Sequence, residues 1–122
     1  MNLGDAFLMS VPPNFNTQHL FFVISDPAQH SGNFIIANIT GDQFRAGTEC
    51  VLAVGEHSWI TKQSFVSFAD AMEITPANGA IITALIGTQI TLQPPLSVVT
   101  LAKIVQAAKK SSAIPVAFKK YL

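Results

Sequence analysis

The sequence predicts an α+β fold that is mainly β: a small barrel of about five strands over residues 4–74, followed by a helical part over 75–122. Three observations predict it. Short aromatic and β-branched runs recur through the first two thirds, separated by Gly, Pro, Asn and Asp. The last third changes to Thr- and Ser-capped segments with helical periodicity. A chain of 122 residues that is 49% apolar suits one domain, 1–122, with a sizeable core.

Gly4-Asp5 reads as a turn that opens a strand over 6–10. Residues 11–16 read as a loop, because Pro12 and Pro13 cannot donate to a ladder. The run Leu20-Phe21-Phe22-Val23-Ile24 has no polar face and predicts a strand buried on both sides. Asp26-Pro27 ends it, and Ser31-Gly32-Asn33 leads to a strand over 34–39. The polar stretch 41–47, which holds Arg45, reads as a loop. A strand over 49–54 stops at Gly55-Glu56-His57. Over 64–69, serines interleave with Phe65, Val66 and Phe68, which predicts a half-exposed strand.

Thr75-Pro76 is a helix start, and the pattern predicts a helix over 76–86 with Gly87 as its stop. Asn78-Gly79, a turn dipeptide, runs against that helix. A last strand fits 89–92, before Pro94-Pro95. Ser97 then caps an amphipathic helix whose apolar stripe is Val98, Leu101, Ala102, Val105 and Ala108. Lys109 and Lys110 fall in its last turn, where cations suit the helix dipole.

Charged residues make up only 11% of the chain, against about 25% in ordinary domains. A surface that poor in charge predicts a homo-oligomer or a complex with a partner. The charge is also divided. All seven acidic residues lie between Asp5 and Glu73, whereas five of the seven basic ones are Lys103, Lys109, Lys110, Lys119 and Lys120. The part from Lys103 onward therefore carries +5 and the rest −5. An acidic body does not by itself attract nucleic acid. The apolar runs fall short of the ~18–20 residues that span a bilayer, and Met1-Asn2-Leu3-Gly4-Asp5 has no basic region leading into an apolar one. A cytoplasmic protein without membrane contact is expected. Cys50 stands alone in an apolar run, which predicts a buried, inert thiol.

His19, His30 and His57 do not pair at ligand spacing, and the glycines form no phosphate-binding motif, so neither a metal site nor a cofactor is expected. His19 stands between a polar loop and the buried strand, where imidazole suits general acid or base work; the plainer reading is a bond to a backbone carbonyl. His57 and Lys62 flank Trp59 and suit a substrate pocket, or a polar turn over a buried Trp. Thr40 and Asp42 flank Gly41 and suit substrate binding or a hydroxyl-type turn. Arg45, the single arginine, suits a bidentate contact to phosphate or a plain solvated loop position.

The order of segments resembles the PemK/MazF-like toxins of type II toxin–antitoxin systems over roughly residues 4–74. The likeness rests on Gly4-Asp5, on His19-Leu20-Phe21-Phe22-Val23-Ile24-Ser25, on Ile36-Ala37-Asn38-Ile39-Thr40 and on Ser64-Phe65-Val66-Ser67-Phe68-Ala69-Asp70. Gly55-Glu56-His57 is similar to a turn, and Ile114-Pro115 to the tail, of small bacterial proteins of this type. The resemblance implies an SH3-like barrel, a homodimer, an antitoxin partner and a metal-independent endoribonuclease cutting single-stranded RNA, active or degenerate. His19 stands where the family has a catalytic arginine, Leu20 where it has a proline, and Thr40 matches its threonine. On that basis His19 is base or acid, Thr40 orients substrate, Arg45 binds phosphate, and His57 and Lys62 contact substrate. A non-catalytic barrel that binds a protein partner in an apolar groove is the second reading.

Overall fold

The computed structural model describes residues 1–11, 14–46 and 49–122, with the side chains of 14–16 and 45–46 excepted. The run Leu20-Phe21-Phe22-Val23-Ile24, which lacks a polar face, is covered on both sides. Leu20, Phe22 and Ile24 enter one apolar cluster, and Phe21 and Val23 enter another. Alternation along a strand puts neighbours on opposite faces, so this sheet needs a cover on each.

Six strands make the sheet: β1 (Ala6–Val11), β2 (Asn14–Val23), β3 (Phe34–Thr40), β4 (Val51–Leu52), β5 (Ser64–Ile74) and β6 (Thr91–Gln93). Their order is β4-β5-β3-β2-β1-β6, and every pairing is antiparallel. The sheet curls into a half-barrel. Leu8, Leu20, Ile35, Leu52 and Phe68, from five different strands, share the first cluster. Helix α3 (Val98–Lys110) closes it with Ile104 and Ala108. Helix α2 (Pro76–Leu85) covers the other face through Ile82, against Phe7, Phe21, Phe34 and Ile36. A one-turn helix, α1 (Gln43–Ala46), stands between β3 and β4. Among the described residues no helix is long and apolar enough to cross a membrane.

Several elements depart from expectation for physical reasons. The loop over 11–16 is shorter than its prolines suggest: Val11 already pairs with Asn14, while residues 12 and 13 lie outside the described ones. Within 41–47, Asp42 Oδ1 accepts the Phe44 N–H at 3.0 Å and so starts α1. The strand over 49–54 shrinks to Val51–Leu52, because Glu56 Oε2 accepts the Ala53 N–H at 2.7 Å and bends the chain into a turn. Gly55, at φ +96°, occupies the left-handed region that this turn requires. The strand over 64–69 is buried rather than half-exposed, and it continues to Ile74. It lies between β3 and β4, and Ser67 satisfies its hydroxyl by donating to Asp70 Oδ2 at 2.7 Å. The strand expected over 89–92 is the shorter Thr91–Gln93, and by pairing with β1 it adds a sixth strand.

Both helix caps form as expected. Thr75 Oγ1 accepts the Asn78 N–H at 3.3 Å, and Ser97 Oγ accepts the Thr100 N–H at 3.1 Å. Gly79 costs α2 about 1 kcal/mol of helix propensity. Its place has a packing reason: a Cβ there would stand 3.3 Å from Phe34 Cε1, so glycine lets the helix lie against that ring. The apolar stripe of α3 is rotated from the expected one. Val98 is 84% exposed, and Thr100, Ile104 and Ala108 form the buried line.

Two carboxylates hold α3 to the sheet. Glu56 takes Lys103 Nζ at 2.8 Å and the Thr100 hydroxyl at 3.5 Å. Glu49 accepts the Ser111 hydroxyl, the Ser112 N–H at 3.0 Å and the Ser112 hydroxyl at 3.2 Å. Partial burial pushes both carboxyls up, but these hydrogen bonds, together with the charges of Lys119 and Lys103 respectively, outweigh it and hold both below the usual range. Part of the division of charge along the chain is thus answered inside the molecule.

Candidate functional site

The β2–β3 ladder ends at the pair Phe21–Asn38, although both strands continue. Beyond that pair β2 stays with β1, where His19 faces Met9, and β3 stays with β5, where Thr40 faces Phe65. The two strands separate, and a cleft of about 620 Å³ opens between them. Continuing the register from Phe21–Asn38 sets His19 opposite Thr40, on the same side of the sheet. Both side chains line the cleft. At the point of separation Asn38 is 7% exposed, and its Oδ1 is buried without a hydrogen-bond partner among the described residues.

The opposite wall is the segment 58–62, which contributes Trp59 and Lys62. His57 shapes this wall from behind. Its Nδ1 accepts the Trp59 N–H at 3.0 Å, and its carbonyl accepts the Ile60 N–H at 3.0 Å. Because a backbone N–H only donates, Nδ1 is bare and Nε2 carries the proton, which it gives to the Pro94 carbonyl at 2.7 Å. The ring also packs on Phe22, with centroids 6.0 Å apart. Lys62 stretches over Gly41: a Cβ at residue 41 would stand 3.0 Å from its Cε and 3.1 Å from its Nζ. Thr40 Oγ1 accepts the Asp42 N–H at 3.1 Å, which leaves the hydroxyl proton of Thr40 to be offered to a ligand.

Of the expected site residues, His19, Thr40 and Lys62 meet in this cleft. His57 does not line it; it is 5% exposed, with both ring nitrogens engaged. Arg45 stands on α1, and its side chain lies outside the described residues. Phe44, outside the expected site, is 93% exposed beside the cleft. Its signal in the sequence is an aromatic residue inside an otherwise polar stretch. Glu49 and Glu56 carry no such signal, because their partners lie far along the chain. Among the described residues, no three of His, Cys, Asp and Glu gather to hold a metal ion.

An imidazole, an ammonium, a hydroxyl and an indole around one open cavity suit an anionic ligand with an aromatic portion. The imidazole provides a proton acceptor, the ammonium a counter-charge, and the indole a stacking face. Compared with known proteins, the chain matches no protein-family model and shows no significant match to a curated protein.

Proposed function

We propose that the chain is a divergent PemK/MazF-like domain with an SH3-like barrel, and that it cuts single-stranded RNA without a metal at the His19 cleft. The observation that carries this reading is the meeting of His19, Thr40 and Lys62 in one cavity. His19 removes the proton of a ribose 2′-hydroxyl. The 2′-oxygen attacks the adjacent phosphorus, the P–O5′ bond breaks, and water returns a proton to the departing 5′-oxygen. The products are a 2′,3′-cyclic phosphate and a 5′-hydroxyl. Lys62 offsets the charge that builds on the phosphoryl oxygens, and Thr40 donates its hydroxyl to one of them.

The test is incubation of the purified protein with mixed single-stranded RNA in a chelator, beside His19→Ala and Lys62→Ala. Fragments ending in cyclic phosphate, reduced at least 100-fold by His19→Ala, are expected. Intact RNA, or equal cleavage by His19→Ala, overturns the reading. The same proposal includes a homodimer and an antitoxin protein as partner; a monomeric mass by light scattering at micromolar concentration would remove the homodimer.

The second reading, a protein-binding module without chemistry, is favoured by Leu92, Val98 and Val99. These exposed apolar side chains lie on the edge strand β6 and the start of α3. Retention of RNase activity alongside no effect of Val98→Asp on any partner would set it aside.

A further inference from the structure

The cleft does not end at Gly41. That glycine also lines a second hollow of about 500 Å³, together with Asp42, Phe44 and Phe65. Lys62 crosses this shared residue, so its ammonium stands at the divide between the two hollows. Each hollow has an aromatic face open to solvent: Trp59, 39% exposed, in the first, and Phe44, 93% exposed, in the second. A ring held that far into water forgoes the free energy of burial. Its backbone is nevertheless tied down, since Asp42 Oδ1 accepts the Phe44 N–H.

We infer that the two hollows form one groove for a single-stranded nucleic acid, with one base on Trp59, the next on Phe44, and the phosphate between them on Lys62. The choice of nucleic acid rests on the proposed function, whereas the groove needs no cleavage. Every base has a π face, so two aromatic platforms bind a strand with little regard to sequence, and a lysine is a point charge suited to a phosphate. A duplex keeps its base faces stacked and cannot use such platforms. Asp42, in the second hollow, opposes the phosphate charge, so the groove binds chiefly by stacking. One phosphate contact corresponds to a shallow salt dependence, a log–log slope of about −0.7.

Trp59 is the single tryptophan, so its fluorescence reads the groove alone. The full chain is titrated with a short single-stranded oligodeoxynucleotide, which lacks the 2′-hydroxyl and cannot be cut by the proposed chemistry. An abasic strand and a duplex of equal length, and a proline-rich peptide, serve as comparisons. Quenching by the single strand, absent with the abasic strand and the duplex, is expected. Phe44→Ala weakens it roughly tenfold, and Lys62→Ala flattens its salt dependence. Phe44 is almost wholly exposed, so its replacement leaves the core intact. No quenching, equal quenching by the abasic strand or the duplex, unchanged binding by Phe44→Ala, or quenching by the peptide alone overturns the inference. RNA cleavage without quenching would keep the His19 chemistry and discard the groove. Quenching without RNA cleavage would keep the groove and discard the chemistry.

Discussion

His57 donates from Nε2 to the carbonyl oxygen of Pro94 at 2.7 Å, and this bond joins the two ends of an open sheet. His57 lies just beyond β4, one edge strand, and Pro94 directly follows β6, the other. The half-barrel is therefore held together across its gap by a side chain rather than by a ladder. His57→Ala leaves the Pro94 carbonyl and the Trp59 N–H without partners and opens space beside Phe22. A loss of about 2–4 kcal/mol in urea unfolding is expected. His57→Gln, which keeps a donor and an acceptor, should recover part of it. A change below 0.5 kcal/mol in both variants would deny the role.

Ile104 is fully buried in the cluster that α3 closes, whereas Val98, on the same helix, is almost wholly in water. Ile104→Ala should cost about 2–5 kcal/mol by lost transfer and an incompletely collapsed cavity. Val98→Ala should stay within about 0.5 kcal/mol. Equal losses from the two would contradict the rotated stripe.

Glu49 and Glu56 are both held below their ordinary value of 4.5, so folding favours their ionised forms. Their contribution is present in full above pH about 4.5 and is lost as pH falls through the lowered folded values. Stability should drop on acidification below that point, and the drop should be shallower in Glu49→Gln/Glu56→Gln. The pair Lys103–Glu56 is partly solvated, so Lys103→Ala should cost no more than about 1 kcal/mol. Identical acid limbs for wild type and double variant would exclude this linkage.

Cys50 is buried, and burial, with a smaller push from Glu56 against the pull of Lys103, raises its thiol above the ordinary value of 9.0. Thiolate is the reactive form. At pH 8 an aromatic disulfide reagent should leave the folded chain unlabelled and modify one thiol in urea. Fast labelling of the folded chain would show that Cys50 is reachable.

What the sequence made legible follows from the range of each interaction. Ser97 and Thr75 cap their helices through bonds three residues away, and Leu20 to Ile24 carry their burial in their own composition. Such local signals need no partner to be read. The strand at β4 was overdrawn because Glu56 removes the Ala53 N–H from the ladder, a competition that β-propensity does not contain. The meeting of His19 with Thr40 and Lys62 depends on where the β2–β3 ladder stops, which pairing alone decides. The α3 stripe went astray because Thr100, a polar residue, is buried where its hydroxyl reaches Glu56, 44 positions away.

The bond from His57 to Pro94 also sets an order of events. The residues that line the cleft all lie between Thr17 and Ser64, yet the wall that carries Trp59 is secured by a carbonyl 37 positions after the histidine. During synthesis, which proceeds from the N-terminus, every lining residue is made before Pro94 is. The nascent chain thus passes through a stage with a complete set of lining side chains and no settled wall. The wall of the cleft settles late, with the arrival of Pro94.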